Sequence, residues 1–353
     1  MLEKSITFLL ENANPSIKRR VKSEILHDLA QEEAAKMTKD LKEVIDYFLA
    51  DASDPFPRYI LRKEILRETP SGSEYKAIKT SKWYQQLAVE QWENGSWGRF
   101  HTQDTKMAIK QKFVTTEHAL RRARELSLGK DDAVIQRAIG LMERYIRGEE
   151  VWPDTMEKHY GFEIAFKTLV AANLSLFDPQ NPLLRTKREI CAHNLSKAFA
   201  GGMLDEDVWE SENRKSNDIL LRAWMVYPIW LLQNNEFLSE DLQRQFLSWI
   251  WDRKGGIYYI NNLPPSDKRS LEDKDFILWL AGLENLCKFS LFPEFMNQSI
   301  SGHLLNEIKR LMTDDVKLPP AHPISGHYSE KWANGSARKN DMILRMSRVL
   351  VKC

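Results

Sequence analysis

Between Asp154 and Glu163 the chain places Asp154, Glu157, His159, Tyr160 and Glu163, five groups able to give, take or bind a proton within ten residues. They stand just before an apolar stretch with helical spacing. A carboxyl or imidazole held at a helix entrance beside apolar surface has the setting in which acids and bases are tuned for proton transfer. Asp154 and Glu157 also fit a helix cap and its partner three residues on, while His159 and Glu163, one turn apart, share a helix face. A metal would need a further ligand from elsewhere, such as His193 or Asp207. No metal site is assigned.

Arg99, His101 and Asp104 form a second, smaller group after the turn at Asn94-Gly95, with an imidazole near a carboxylate; a loop histidine making one backbone hydrogen bond is the plainer reading. The third group is aromatic. The chain has 11 Trp, and Trp97, Trp152, Trp209, Tyr258 and Trp279 recur at or near turns or helix starts, together with Trp83, Trp224 and Tyr259. Their faces suit a cavity that takes an apolar, amphipathic or sugar ligand, and equally suit wedging helices apart. Nucleotide-binding loops, dinucleotide fingerprints, the zinc-protease H-E-x-x-H and the G-x-S-x-G elbow are all missing from the sequence.

The elements that must position these groups read as helices. Asn14-Pro15-Ser16-Ile17 through Leu26 aligns without gaps, about forty residues on, with Asp54-Pro55-Phe56-Pro57 through Leu66, a period typical of stacked helical hairpins. Asn or Asp followed by Pro is a cap and first-turn signature. The second copy keeps basic residues at Arg58, Arg62 and Lys63 but has Tyr59 and Ile60 in place of Arg19 and Arg20, which makes a continuous basic stripe less expected. Beyond a polar connection at 71–80, helical spacing marks Ser81–Glu93, Val134–Tyr145, Glu163–Leu176, Leu183–Ala200, Ile219–Leu232, Ser239–Trp251, Phe276–Cys287, Ile300–Met312 and Lys339–Val351. Turns with an aromatic, at Gly95-Ser96-Trp97, Gly148 to Trp152, Gly201 to Trp209 and Gly255 to Tyr258, punctuate them. Strand signals are poor apart from a short one at 256–260.

Size and composition fit two average domains or one large repeat domain. The chain has 353 residues, 42% of them hydrophobic and 29% charged, enough to bury a sizeable core. With 51 Lys plus Arg against 50 Asp plus Glu, the formal net charge is +1, which gives no general pull toward nucleic acid. Three widely separated cysteines do not make a disulfide framework, no apolar run is long enough to span a bilayer, and the first residues do not read as a signal peptide. A soluble protein of the reducing cytoplasm is expected.

The stretch Gln91-Trp92-Glu93-Asn94-Gly95-Ser96-Trp97 resembles the Q-x-x-x-G-x-W repeat of the squalene-hopene-cyclase and prenyltransferase-like α/α toroids. The resemblance covers about residues 80–350, with weaker echoes at Trp152, Trp209 and Tyr258. It implies a ring of helical hairpins in which Gln91 ties a helix end and Trp97 packs on it. The acid Asp-x-Asp-Asp of the family is incomplete at Asp205-Glu206-Asp207-Val208. The magnesium-binding Asp-Asp-x-x-Asp fails at Asp131-Asp132 and Asp314-Asp315, and no cysteine lies in the zinc-binding Asp-x-Cys.

The expectation is therefore an all-α protein built as an α/α toroid, with helical hairpins over 1–70 leading into or closing a ring over 71–353. Its central cavity would bind an apolar or amphipathic small molecule through Trp97, His101, Trp152, Tyr160, Glu163, Trp209, Tyr258 and Trp279. Any acid–base chemistry would fall to Asp154, His159 or Asp207. No motif names a cofactor. The competing expectation is a non-catalytic scaffold of HEAT-like repeats that binds protein or nucleic acid.

Overall fold

The computed structural model describes residues 26–52, 54–69, 71–104, 110–154, 161–296, 298–313, 316–319, 328–330 and 335–352. The chain divides into two compact units, Met1–Asp51 and Ala52–Cys353. In the first, the described element is α1 (Leu26–Asp51). In the second, the first copy's partner in the repeat forms α2 (Pro55–Ile60), capped by Asp54, whose side chain accepts from the Phe56 amide at 3.1 Å. The helix continues as a π-helical turn, Leu61–Ile65. Such turns widen the backbone and are frequent at functional sites.

Local chemistry sets most of the boundaries that follow. Ser71 and Glu74 cap α3 (Gly72–Thr80) reciprocally, and Ser81 caps α4 (Lys82–Glu90). Thr115 caps α5 (Thr116–Glu125), and Asp132 caps α6 (Ala133–Arg147), which ends at Gly148 with φ +73°. Then come α7 (Phe162–Phe177), α8 (Arg185–Ala198) after a short 3-10 turn, and α9 (Glu206–Ser216) capped by Asp205. The second half holds α10 (Val226–Leu232), α11 (Glu240–Trp251), α12 (Phe276–Leu286), the single turn α13 (Phe292–Phe295), α14 (Gln298–Met312) and α15 (Gly335–Leu350).

Two departures from the sequence expectations stand out. The helix foreseen from Ile219 begins only at Val226, because Ile219 and Leu220 adopt φ of +69° and +44°, outside the helical region. The short strand foreseen at 256–260 is one isolated bridge between Met225 and Tyr258; no strand forms among the described residues. The described chain is all-helical, and none of its helices is long and apolar enough to cross a membrane.

The helices fall into two kinds. Along α7, α10, α12 and α15 nearly every face is buried, including all of Val226–Leu232. By contrast, α6 and α11 bury one stripe, as surface helices do. The buried helices pack on one another and on the amphipathic ones: α7 on α6 and α10, α8 on α9 and α10, α15 on α12, α14 and the π turn, α5 on α4 and α7.

The aromatic turns serve this packing. Trp97, Trp209 and Trp279 are fully buried, and each indole N–H donates to a loop or helix-end carbonyl: Leu87 at 2.8 Å, Leu221 at 2.7 Å and Pro265 at 2.9 Å. Gln91 Nε2 donates to the carbonyls of Gly95 and Val134, at 3.0 and 2.9 Å, joining the turn to the start of α6. Gly95 has φ +96°, and a Cβ there would lie 2.3 Å from the Arg137 carbonyl oxygen. Only glycine fits that approach.

Candidate functional site

The buried helices present their less apolar sides to a cavity of about 690 Å³, within the range of small-molecule sites. The π turn supplies Lys63 and Glu64; α5 supplies Glu117, His118, Arg121, Arg124 and Glu125; α12 and α15 supply Glu284, Arg345 and Arg348. Leu176 of α7, Val226 of α10 and Ile260 give apolar wall, while Tyr227, Trp230, Tyr259 and Tyr328 give aromatic wall.

At one side stands an imidazole–carboxylate pair. His101 Nδ1 lies 2.7 Å from Glu117 Oε2. A carboxylate accepts and does not donate, so Nδ1 carries the hydrogen and Nε2 is the basic nitrogen of that tautomer. Asn173 Nδ2 donates to the other oxygen of Glu117 at 3.1 Å, and the Tyr227 hydroxyl bonds the same carboxylate. The His101 ring meets Tyr227 and Tyr259 edge to face, each at 6.3 Å between centroids. Burial, then the Glu117 charge, pushes the Tyr227 phenol well above the ordinary tyrosine range. His118, next in α5, is pushed down to about 4 by burial and by Arg121, Arg122 and Lys112, so it stays neutral at physiological pH.

The cavity lining also carries ion pairs. Arg345 clasps Glu284 through Nε and Nη2, at 3.1 and 2.5 Å, the bidentate geometry that suits a guanidinium. Burial alone would lower Arg345, and Glu284 more than reverses it. Arg348 pairs with Glu64 at 2.7 Å and donates to the Tyr328 hydroxyl. Burial alone would raise the Glu64 carboxyl, but Arg348, the Ser127 hydroxyl and two lysines hold it below its usual range.

The residues singled out in the sequence sit differently from one another. His101 lines the cavity. Asp154 is buried beneath it, accepting from the amides of Phe100, His101 and Thr102 at 2.7, 2.9 and 2.7 Å and from the Thr102 hydroxyl at 2.9 Å. It fixes the loop that carries His101 and is a positioning residue. Asp207 is exposed in the first turn of α9, and Glu163 is exposed in the first turn of α7, 3.5 Å from Lys167. Trp97, Trp209 and Trp279 stand in the helix packing and outside the cavity lining. Trp152 stacks on Phe166 at 4.2 Å, also outside it. Tyr258 is 44% exposed and packs edge-on against Trp224; its neighbour Tyr259 is the one that reaches the cavity. His159 and Tyr160 lie outside the described residues.

None of Glu117, Arg121, Arg124, Tyr227, Arg345 or Arg348 belongs to a sequence motif. The available signal was the spacing of Glu117, Arg121 and Arg124, four and three residues apart on one helix face. Among the described residues no group of three or more His, Cys, Asp or Glu could hold a metal ion.

Comparison with protein-family models, curated proteins and solved structures gives no match.

Proposed function

We propose that residues 52–353 form an α/α toroid whose central cavity binds an amphipathic small molecule and moves a proton on it through His101, held by Glu117. The order of packing supports the ring: α5 on α7, α7 on α10, α12 on α15 and α15 on the π turn. Two hydrogen-bonded links fill the remaining joints. Asn285 of α12 accepts from the Trp230 indole and its carbonyl from Gln233, after α10, at 2.8 and 2.5 Å. Lys63 and Glu64 of the π turn bond Ser127, at the end of α5, at 2.5 and 2.7 Å. This keeps the architecture implied by the squalene-cyclase-like resemblance. The cavity's charged wall draws the ligand from the apolar toward the amphipathic end of that expectation.

The observation that carries the chemistry is the 2.7 Å contact between His101 and Glu117 at the cavity surface. A carboxylate that orients an imidazole and steadies its charged form is the arrangement by which a histidine serves as base and then as acid. Asp154, with its four hydrogen bonds to the adjoining loop, sets where that ring stands. We place the protein in the cytoplasm, a reading that the buried free thiols Cys191 and Cys287 support.

The test is binding of Nile red, an uncharged apolar dye. A saturable fluorescence rise with one dye per chain, abolished by Val226→Trp in the cavity wall, is expected. No binding to the folded wild-type chain, or binding indifferent to Val226→Trp, overturns the cavity reading.

A further inference from the structure

The charges around the cavity do not balance. Six cations (Lys63, Arg121, Arg124, Lys288, Arg345 and Arg348) face four carboxylates (Glu64, Glu117, Glu125 and Glu284). Each carboxylate already has a partner. Glu64 holds Arg348 and Glu284 holds Arg345. Glu125 is 2.8 Å from Arg122, and Glu117 serves the His101 cluster. Among the described residues Arg121 and Arg124 make no ion pair within 4.0 Å and no hydrogen bond. Arg124 lies over the Trp230 ring, 4.8 Å from its centroid.

A guanidinium taken out of bulk water without an anion carries a large desolvation cost. Like charges there repel each other as well: burial, with Arg121 and Arg348, pulls Arg124 below the usual arginine range, against Glu125 and Glu117. The cost falls sharply when an anion arrives, because charge-assisted bonds to guanidinium groups are strong in a secluded site. The surface beside these groups is aromatic and apolar: Trp230 under Arg124, with Val226 and Leu176 nearby.

We propose that Arg121 and Arg124 form an anion subsite, which receives the carboxylate or phosphoryl head of a ligand whose apolar or aromatic body lies toward Trp230. This rests on the cavity reading above and names its ligand class. The head is held by the arginines of α5, one turn and more from Glu117, and the body of the ligand lies along Trp230 and its neighbour Tyr227.

Three compounds with one aromatic body separate the possibilities: uncharged naphthol, naphthoate and naphthyl phosphate, titrated calorimetrically into the full chain at low and at physiological salt. At least one anion is expected to bind about tenfold or more tighter than naphthol. That advantage is expected to shrink to about threefold or less in Arg121→Gln and in Arg124→Met, and to persist in the surface variant Arg244→Gln. Which anion wins tells a carboxylate site from a phosphoryl site. Naphthol binding as tightly as both anions, or an anion advantage that survives in both cavity variants, overturns the subsite and leaves the cavity reading standing. Failure of all three compounds to bind overturns both. Because Arg121 and Arg124 make no structural ion pair among the described residues, circular dichroism of each variant is expected to match the wild type.

Discussion

His101 Nδ1 and Glu117 Oε2 lie 2.7 Å apart in the cavity lining, one residue on an irregular loop and the other in the first turn of α5. The contact joins two segments that the tryptophan turn holds in register. The Thr116 hydroxyl accepts from the Trp97 amide at 3.0 Å, and the amides of Thr116 and Glu117 donate to the carbonyls of Arg99 and Phe100 at 2.8 and 3.0 Å. The imidazole and its carboxylate are thus fixed by backbone bonds on both sides, the kind of preorganisation that proton transfer needs.

Removing the charge of Glu117 tests that cluster. After burial, the nearby carboxylate is the main reason that the Tyr227 phenol resists ionisation. Glu117→Gln is expected to lower the Tyr227 pKa toward the ordinary range, read by ultraviolet difference titration against a Tyr227→Phe control. A phenol whose titration does not move would separate Tyr227 from Glu117.

Asp154 acts through the loop. Asp154→Ala leaves the buried amides of Phe100 and His101 without their acceptor, at a cost of about 2–4 kcal/mol in urea unfolding. As a positioning effect, the His101 ring resonances are expected to shift and broaden in the same variant. The conservative Asp154→Asn is expected to recover part of both. Unchanged stability and unchanged resonances would remove Asp154 from this role.

His118 makes stability fall on mild acidification. Its folded pKa, pushed down to about 4 by burial and neighbouring cations, lies below the ordinary value of 6.5. The unfolded chain then binds the proton more readily, so this contribution is full above pH 6.5 and is lost between 6.5 and 4. Allowing for screening at a partly accessible ring, the loss is about 2 kcal/mol. His118→Gln is expected to flatten the unfolding free energy over that window; an equally steep profile refutes the assignment.

Asp341 has the opposite sign. Fully buried in α15, it accepts from the Tyr328 and Ser329 amides at 2.8 and 3.4 Å. Burial raises its carboxyl to about 7 against those two bonds; Asp54 adds to the rise and Arg345 opposes it. The folded state holds the proton more tightly, so the contribution is full below the ordinary value of 3.8 and is lost as pH rises through 7. Asp341→Asn is expected to stabilise the protein at alkaline pH by on the order of 1–4 kcal/mol and to do little under acid conditions. Destabilisation that is equal at both ends would show a packing role alone.

The sequence by itself determined the helices, their caps and the turns between them. Asp54 with Pro55, Ser71 with Glu74, and Asp132 act on backbone groups within three residues, so residue order suffices to specify them. Gln91, Gly95 and Trp97 were legible as a turn because glycine's left-handed φ and a buried indole leave a local imprint. The boundary at Val226 was not legible: the apolar run from Ile219 has helical spacing, and the positive φ angles of Ile219 and Leu220 follow Asp218, whose carboxylate is paired with Lys187 of α8, 31 residues away. Only the tertiary structure decided the site. Arg345 and Glu284, 61 residues apart, meet because α12 and α15 pack together. Glu117, Arg121 and Arg124 form a charged stripe that reads as a face turned to outer water. A helix face turned to a polar cavity has the same pattern, because the charges answer to solvation and not to which side of the fold the solvent lies on.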